Sequence, residues 1–255
     1  MLETLLSLHL YSIGNCQTIE FDLEIQWPCL CHGGLRRSVA NMIFSPGRNY
    51  IFVHIPKTGG TSMALALEGR AMKDDILIGD TPKAKRRRKR LKGIKTAGRL
   101  WKHSTLADID GLVSTAEIDS AFVFTLVRNP WDRMVSYYYW LRTQAFDHPA
   151  VTLAKQVDFT TFLNAPSTQS AMRAAPYGHY VTDAQGREVC DSFIRLEQLE
   201  EDSAPLWDHL GFRLDLPVNN QSTRDRDYRT YYTESDSDLV QSLFAQDIDR
   251  FGYTC

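Results

Sequence analysis

The stretch from Tyr50 to Arg70 constrains the fold more than any other part of the chain. Tyr50–Ile55 (YIFVHI) is a short, mostly apolar run rich in β-formers and reads as a buried strand. Pro56–Thr61 follows as a glycine-containing loop. Ser62–Arg70 (SMALALEGR) is built from good helix formers, with Thr61 or Ser62 placed to cap it. Strand, tight loop and helix thus follow one another directly.

The pattern repeats further on. Ala121–Val127 (AFVFTLV) is uninterrupted in its apolar character, which suits a parallel strand covered on both faces. Pro130–Phe146 reads as a helix with proline at a tolerated first-turn position. Short helices are expected at Thr105–Val113, Ser114–Asp119 and Phe159–Asn164. A strand is expected at Phe193–Leu196, and helices at Gln198–Leu210 and Asp236–Phe251. Strands alternating with helices argue an α/β fold, a mainly parallel central sheet flanked by helices. The length of 255 residues fits one large domain, assigned to 48–255. Residues 1–47 lack periodicity and read as an irregular N-terminal extension. Met42 is an alternative start, which would leave the first 41 residues outside the native unit.

The loop Pro56-Lys57-Thr58-Gly59-Gly60-Thr61-Ser62 carries chemistry. A phosphate group needs several N–H donors at close range. Paired glycines let consecutive amides converge, and the following helix offers its free N–H groups and positive dipole end. Thr58, Thr61 and Ser62 add hydroxyls, and Lys57 adds a cation. An ordinary Gly-Gly turn is the plain alternative. Lysine precedes the glycines, whereas the nucleoside-triphosphatase loop places it after them, so ATP or GTP hydrolysis is disfavoured.

Net charge is −2, but its distribution is uneven. Residues 83–95 (KAKRRRKRLKGIK) hold nine of the 29 basic residues, leaving 20 against 31 acidic ones elsewhere, a net of −11. Such a block reads as a solvated, mobile segment, or else as a contact for an anionic ligand, acceptor or surface. Neither nucleic acid nor a transmembrane segment is expected from the composition. Five cysteines at 16, 29, 31, 190 and 255 form no disulfide framework and fit a reducing, cytoplasmic setting. Cys29, Cys31 and His32 are too few for a zinc site, and no metal is expected. The N-terminus lacks the basic leader of a signal peptide.

Arg128 ends the second strand, where α/β proteins bind ligands, and its guanidinium can grip a phosphate. A salt-bridged or capping arginine is the alternative. Ser136 lies eight residues later and offers a hydroxyl. With these residues the chain resembles the sulfotransferases. Pro56–Ser62 is similar to that family's 5′-phosphosulfate loop, and Arg128 with Ser136 to its 3′-phosphate motif. HIPKTGGTS and LVRNPWDRMVSYYYWLR resemble the family 2 type, which includes carbohydrate sulfotransferases, as do Phe193–Leu199 and Tyr228–Tyr253. The resemblance spans about residues 48–255.

The resemblance implies a P-loop-like sulfotransferase fold and direct in-line sulfonate transfer from 3′-phosphoadenosine 5′-phosphosulfate, without a metal, to an acceptor hydroxyl, that of a carbohydrate or glycolipid. Lys57 would stabilise charge on the leaving oxygen. The loop from Lys57 through Thr58, Gly59, Gly60, Thr61 and Ser62 would hold the 5′-phosphate, and Arg128 and Ser136 the 3′-phosphate. His103, in WKHST, is the expected catalytic base, at the place where related enzymes carry a functional histidine. His54 reads as structural and Glu68 as solvated; His179 is an outsider. Arg224, Arg226 and Tyr228 either close over the nucleotide or are exposed loop charges. Trp131 and Tyr137–Trp140 divide between core and a possible sugar site. A nucleotide-dependent kinase and a non-catalytic polyanion-binding protein are the alternative functions.

Overall fold

The computed structural model describes residues 40–216 and 224–255. Five strands form one sheet: β1 (Asn41–Ser45), β2 (Tyr50–Val53), β3 (Ile76–Gly79), β4 (Phe122–Val127) and β5 (Ser192–Arg195), in the order β3-β1-β2-β4-β5. β2 pairs parallel with β4 and β4 with β5, while β1 is antiparallel to both β2 and β3. β2, β3, β4 and β5 therefore run in one direction and β1 alone is reversed, an α/β sheet parallel in its main body.

The helices are α1 (Gly60–Gly69), α2 (Pro82–Arg87), α3 (Thr115–Ser120), α4 (Pro130–Arg142), α5 (Pro149–Gln156), α6 (Phe159–Asn164), α7 (Pro166–Arg173), α8 (Tyr177–Tyr180), α9 (Leu199–Asp202), α10 (Ala204–Leu210), α11 (Glu234–Leu243) and α12 (Ala245–Phe251). No helix among the described residues is long and apolar enough to cross a membrane.

The continuous apolar strands make sense because both sheet faces are covered. Alternate residues of β2 and β4 point to opposite faces. Ile51, Val53, Val123 and Val127 pack with Leu106, Ile109 and Tyr177 on one side. Tyr50, Phe52, Phe124 and Leu126 pack with Met63 and Leu67 of α1 and Trp207 of α10 on the other. A third cluster joins α4 to α5, α6, α7, α11 and α12 and includes Trp131, Tyr137 and Tyr138. Those three aromatic residues are core, whereas Tyr139 and Trp140 stay partly exposed.

Four sequence expectations are corrected. The irregular extension assigned to 1–47 contains β1, an interior strand: residues 41–45 are buried throughout, and Ser45 Oγ donates to Asp75 Oδ1 at 2.7 Å. Glu68 is not solvated. It is 9% exposed, and its carboxylate accepts from Asn41 Nδ2 and Thr81 Oγ1, tying α1 to β1 and α2. Thr105–Val113 is a run of turns, because the Leu106 and Ala107 amides each donate at 3.0 Å to the carbonyls of Tyr180 and Thr182 instead of closing a helix. The basic block is helical over α2 and a 3₁₀ turn at Arg88–Leu91. Cys29, Cys31 and His32 lie outside the described residues.

Candidate active site

The loop between β2 and α1 is bent by two left-handed residues, Lys57 at φ 67° and Gly59 at φ 83°. The second suits glycine; the first is uncommon for a lysine and marks a backbone fixed by its surroundings. Thr58 supplies part of that fixing: buried, it donates its hydroxyl to Ile55 O at 2.9 Å. That proton serves the loop itself. Two arginines hold the loop carbonyls, with Arg133 Nε donating to Pro56 O at 3.1 Å and Arg128 Nη1 to Lys57 O at 3.3 Å.

Neither Thr61 nor Ser62 caps α1. Gly59 is the cap residue, no side chain accepts from the first turn, and that turn carries no carboxylate. The positive dipole end of this ten-residue helix thus meets no side-chain acceptor at its cap, although Ser62 N donates to Gly59 O at 3.2 Å. The glycines keep this space narrow. A Cβ on Gly59 would lie 2.7 Å from Leu196 Cδ1, and one on Gly60 would lie 2.4 Å from His54 Cδ2.

Cations converge on this helix end. Lys57 Nζ stands over the Trp140 ring at 5.3 Å. Burial, then the charges of Arg128, Arg224 and Lys102, pull its pKa down to about 7. Arg128 extends from the end of β4, bonded to Asp132 through Nε at 2.9 Å and Nη2 at 2.5 Å. Arg224 meets the other oxygen of Asp132 with its side chain only 8% exposed. Arg226 is exposed. Lys102 pairs with Asp80 at 3.2 Å.

His103 lies beside the loop with its ring 4.6 Å from that of His54. Its Nδ1 is 2.7 Å from the backbone oxygen of His54. A carbonyl only accepts, so Nδ1 carries the proton, and the neutral ring keeps its lone pair on Nε2. Burial, then His54 and Lys102, hold its pKa well below the ordinary imidazole value. His54 is 3% exposed and is pushed down to about 3, first by burial and then by Lys102 and Lys57. His179 is exposed.

The fold therefore brings Lys57, Gly59, Gly60, Arg128 and His103 together. Ser136 is buried on α4, three residues after Arg133 and so on the same helix face. Sequence reasoning missed Arg133, Asp132 and Lys102. Arg133 is 2% exposed and stacks on the Tyr177 ring at 4.8 Å. Its place in the RNPWDR run was the only signal, and nothing local marks it as buried.

An uncapped helix end, left-handed loop residues, crowded cations and a neutral imidazole suit a polyanionic ligand beside a group that gives up a proton. The profile described as the Sulfotransferase family matches residues 40–254. No curated protein matches the chain. Among solved structures, mouse sulfotransferase SULT7A1 complexed with PAP is similar, at 18% sequence identity and a TM-score of 0.44, over 80% of this chain and 85% of that one.

Proposed function

This chain belongs to the sulfotransferase family, and from that premise we propose that it moves a sulfonate group from 3′-phosphoadenosine 5′-phosphosulfate to a hydroxyl of a carbohydrate or glycolipid. The observation that carries this reading is the convergence of Lys57, Arg128 and Arg224 around the uncapped end of α1. A donor phosphorylated at two positions asks for two such anion sites close together. The loop and α1 amides supply one, and Arg128 with Ser136 the other. The residues present fit that donor: Gly59 and Gly60 let the loop close against Leu196 and His54, where a Cβ would collide, and so hold its backbone in place for a phosphate.

The donor supplies a sulfur centre joined to phosphate through a bridging oxygen. His103 Nε2 accepts the proton of the acceptor hydroxyl as that oxygen forms its bond to sulfur. Lys57 stabilises the negative charge left on the bridging oxygen as the sulfur–oxygen bond breaks opposite the incoming one. The α1 amides fix the 5′-phosphate, and Arg128 reads the 3′-phosphate, which ordinary adenylates lack. Trp140, partly exposed, lies under the Lys57 ammonium at 5.3 Å.

Burial first, then His54 and the nearby cations Lys102 and Lys57, make His103 a weak base in the free protein. Anionic donor phosphates offset those charges and raise its basicity, so proton abstraction waits for the donor. A thermal-shift titration tests the whole reading. 3′-Phosphoadenosine 5′-phosphate should raise the midpoint, with ATP and magnesium far weaker, because binding to the native state stabilises by mass action. An unchanged midpoint at saturating nucleotide overturns the reading.

A further inference from the structure

The basic block at 83–95 has no part in the site described above, and its contacts sort its side chains into carbonyl-bound and exposed sets. Lys83, Arg87, Arg88 and Arg90 donate to the carbonyls of Glu68, Asp75, Gly79 and Lys73. These bonds, with buried Ala84, pin the segment along edge strand β3. Lys85, Arg86, Lys89 and Lys92 are exposed. Among the described residues, none of the nine cations of this block pairs with a carboxylate. An ordered row of unpaired cations on a chain otherwise at −11 concentrates attraction at one place and repels an anionic surface everywhere else.

A second observation identifies that surface. The exposed large hydrophobic side chains of the described residues are Met72, 41% exposed, and Ile94, 39% exposed. Both border the same row: Met72 precedes Lys73, whose carbonyl Arg90 holds, and Ile94 follows Lys92. We propose that this edge docks on an anionic lipid bilayer, the cations meeting headgroups while Ile94 and Met72 enter the acyl boundary. An acidic polysaccharide or a nucleic acid would supply the charge but no hydrocarbon for the aliphatic side chains.

Position ties the surface to the site. β3 runs in the same direction as β2 and β4, so α2 starts from the sheet edge that carries the phosphate loop and Arg128. Asp80, just before α2, is bonded to Lys102 next to His103. Docking there holds His103 close to hydroxyls displayed on a lipid surface; this consequence rests on the glycolipid branch of the proposed function, while the docking itself does not.

Vesicle co-sedimentation of the full chain tests the inference, with phosphatidylcholine alone and with about one-third phosphatidylserine added. Binding is expected only to the anionic vesicles and should weaken as salt rises. The quadruple variant Lys85→Gln, Arg86→Gln, Lys89→Gln and Lys92→Gln spares the carbonyl-bound set and should lose about a hundredfold or more in affinity. Ile94→Ser should lose about threefold to tenfold. Wild-type binding by the quadruple variant, equal binding to uncharged vesicles, or dextran sulfate or an oligonucleotide competing fully while Ile94→Ser changes nothing, would each overturn it. A thermal shift by 3′-phosphoadenosine 5′-phosphate in the same samples reports separately on the sulfotransferase reading: its absence beside intact vesicle binding strikes that reading alone.

Discussion

Asp132 holds Arg128 and Arg224 on one carboxylate, Oδ2 taking Arg128 Nε at 2.9 Å and Oδ1 taking Arg224. Without nucleotide, the pair of guanidinium groups is aimed by an internal anion. A phosphate that engages Arg128 must come close to that carboxylate. Like charges about 4 Å apart at an effective dielectric of about 20 repel by about 4 kcal/mol, against about 1 kcal/mol for aiming an arginine through an ion pair. Repulsion wins by about 3 kcal/mol, so Asp132→Asn, which keeps an acceptor oxygen, should tighten 3′-phosphoadenosine 5′-phosphate binding by about a hundredfold. Calorimetry measures it, and weaker binding would mean that aiming dominates. Arg128→Ala should erase the preference for this nucleotide over adenosine 5′-phosphate.

Lys57 should take up a proton when nucleotide binds. Its pKa of about 7 in the ligand-free protein leaves it largely neutral above that pH. Phosphate charge favours the ammonium, so affinity should fall as pH rises beyond about 7, and binding at pH 8 should draw a proton from the buffer. Calorimetry in buffers of different ionisation enthalpy detects that uptake, and Lys57→Met should abolish it. Lys57→Ala should cut turnover by about 10²–10³. Its effect on nucleotide affinity should be much smaller. Equal losses in both would place Lys57 in binding and not at the leaving group.

His103→Ala should lower turnover by about 10²–10⁴ while leaving nucleotide affinity nearly unchanged. The pH profile supplies a second check. The neutral ring is the active form, so activity is lost as pH falls through its pKa. In the free protein that pKa lies well below the usual 6.5, and kcat/KM reports the free protein. The acidic limb should therefore lie below pH 6.5. A limb at or above that value, or near-normal turnover in the variant, assigns the base elsewhere.

Local encoding explains what could be read from the sequence. The strand before Pro56, the glycine pair and the strand ending at Arg128 are contiguous signals, and each falls where expected. β1 was missed because NMIFS gains its meaning from two partners, the neighbouring Tyr50–Phe52 and the distant Ile76–Gly79. Glu68 was misread because helix formers say nothing of Asn41 and Thr81 waiting across the fold. The basic block was misread because like charges repel unless backbone carbonyls take them up, as those of Glu68, Asp75 and Lys73 do. Arg133 and Lys102 draw their importance from burial, which a run of polar residues does not reveal.

Gly60 separates phosphate cradle from imidazole, and a single methyl group tests the spacing. Its backbone is not left-handed, so alanine meets no dihedral penalty there. Sterics decide: the new Cβ would sit 2.4 Å from His54 Cδ2 and 2.9 Å from His54 Nε2. The ring has little room to retreat, with His103 at 4.6 Å and Phe52 at 6.0 Å between centroids. Relief must move either α1 or the histidine pair, a cost of about 1–3 kcal/mol for overpacking. Gly60→Ala should lower the thermal midpoint and, by displacing His103, reduce turnover more than nucleotide affinity. Gly69→Ala is the matched control: nothing lies within 4 Å of its Cβ, and alanine late in α1 should be neutral or add about 0.5–1 kcal/mol. If Gly60→Ala melts with the wild type while Gly69→Ala behaves as stated, the His54 ring yields freely, and the loop does not fix the base.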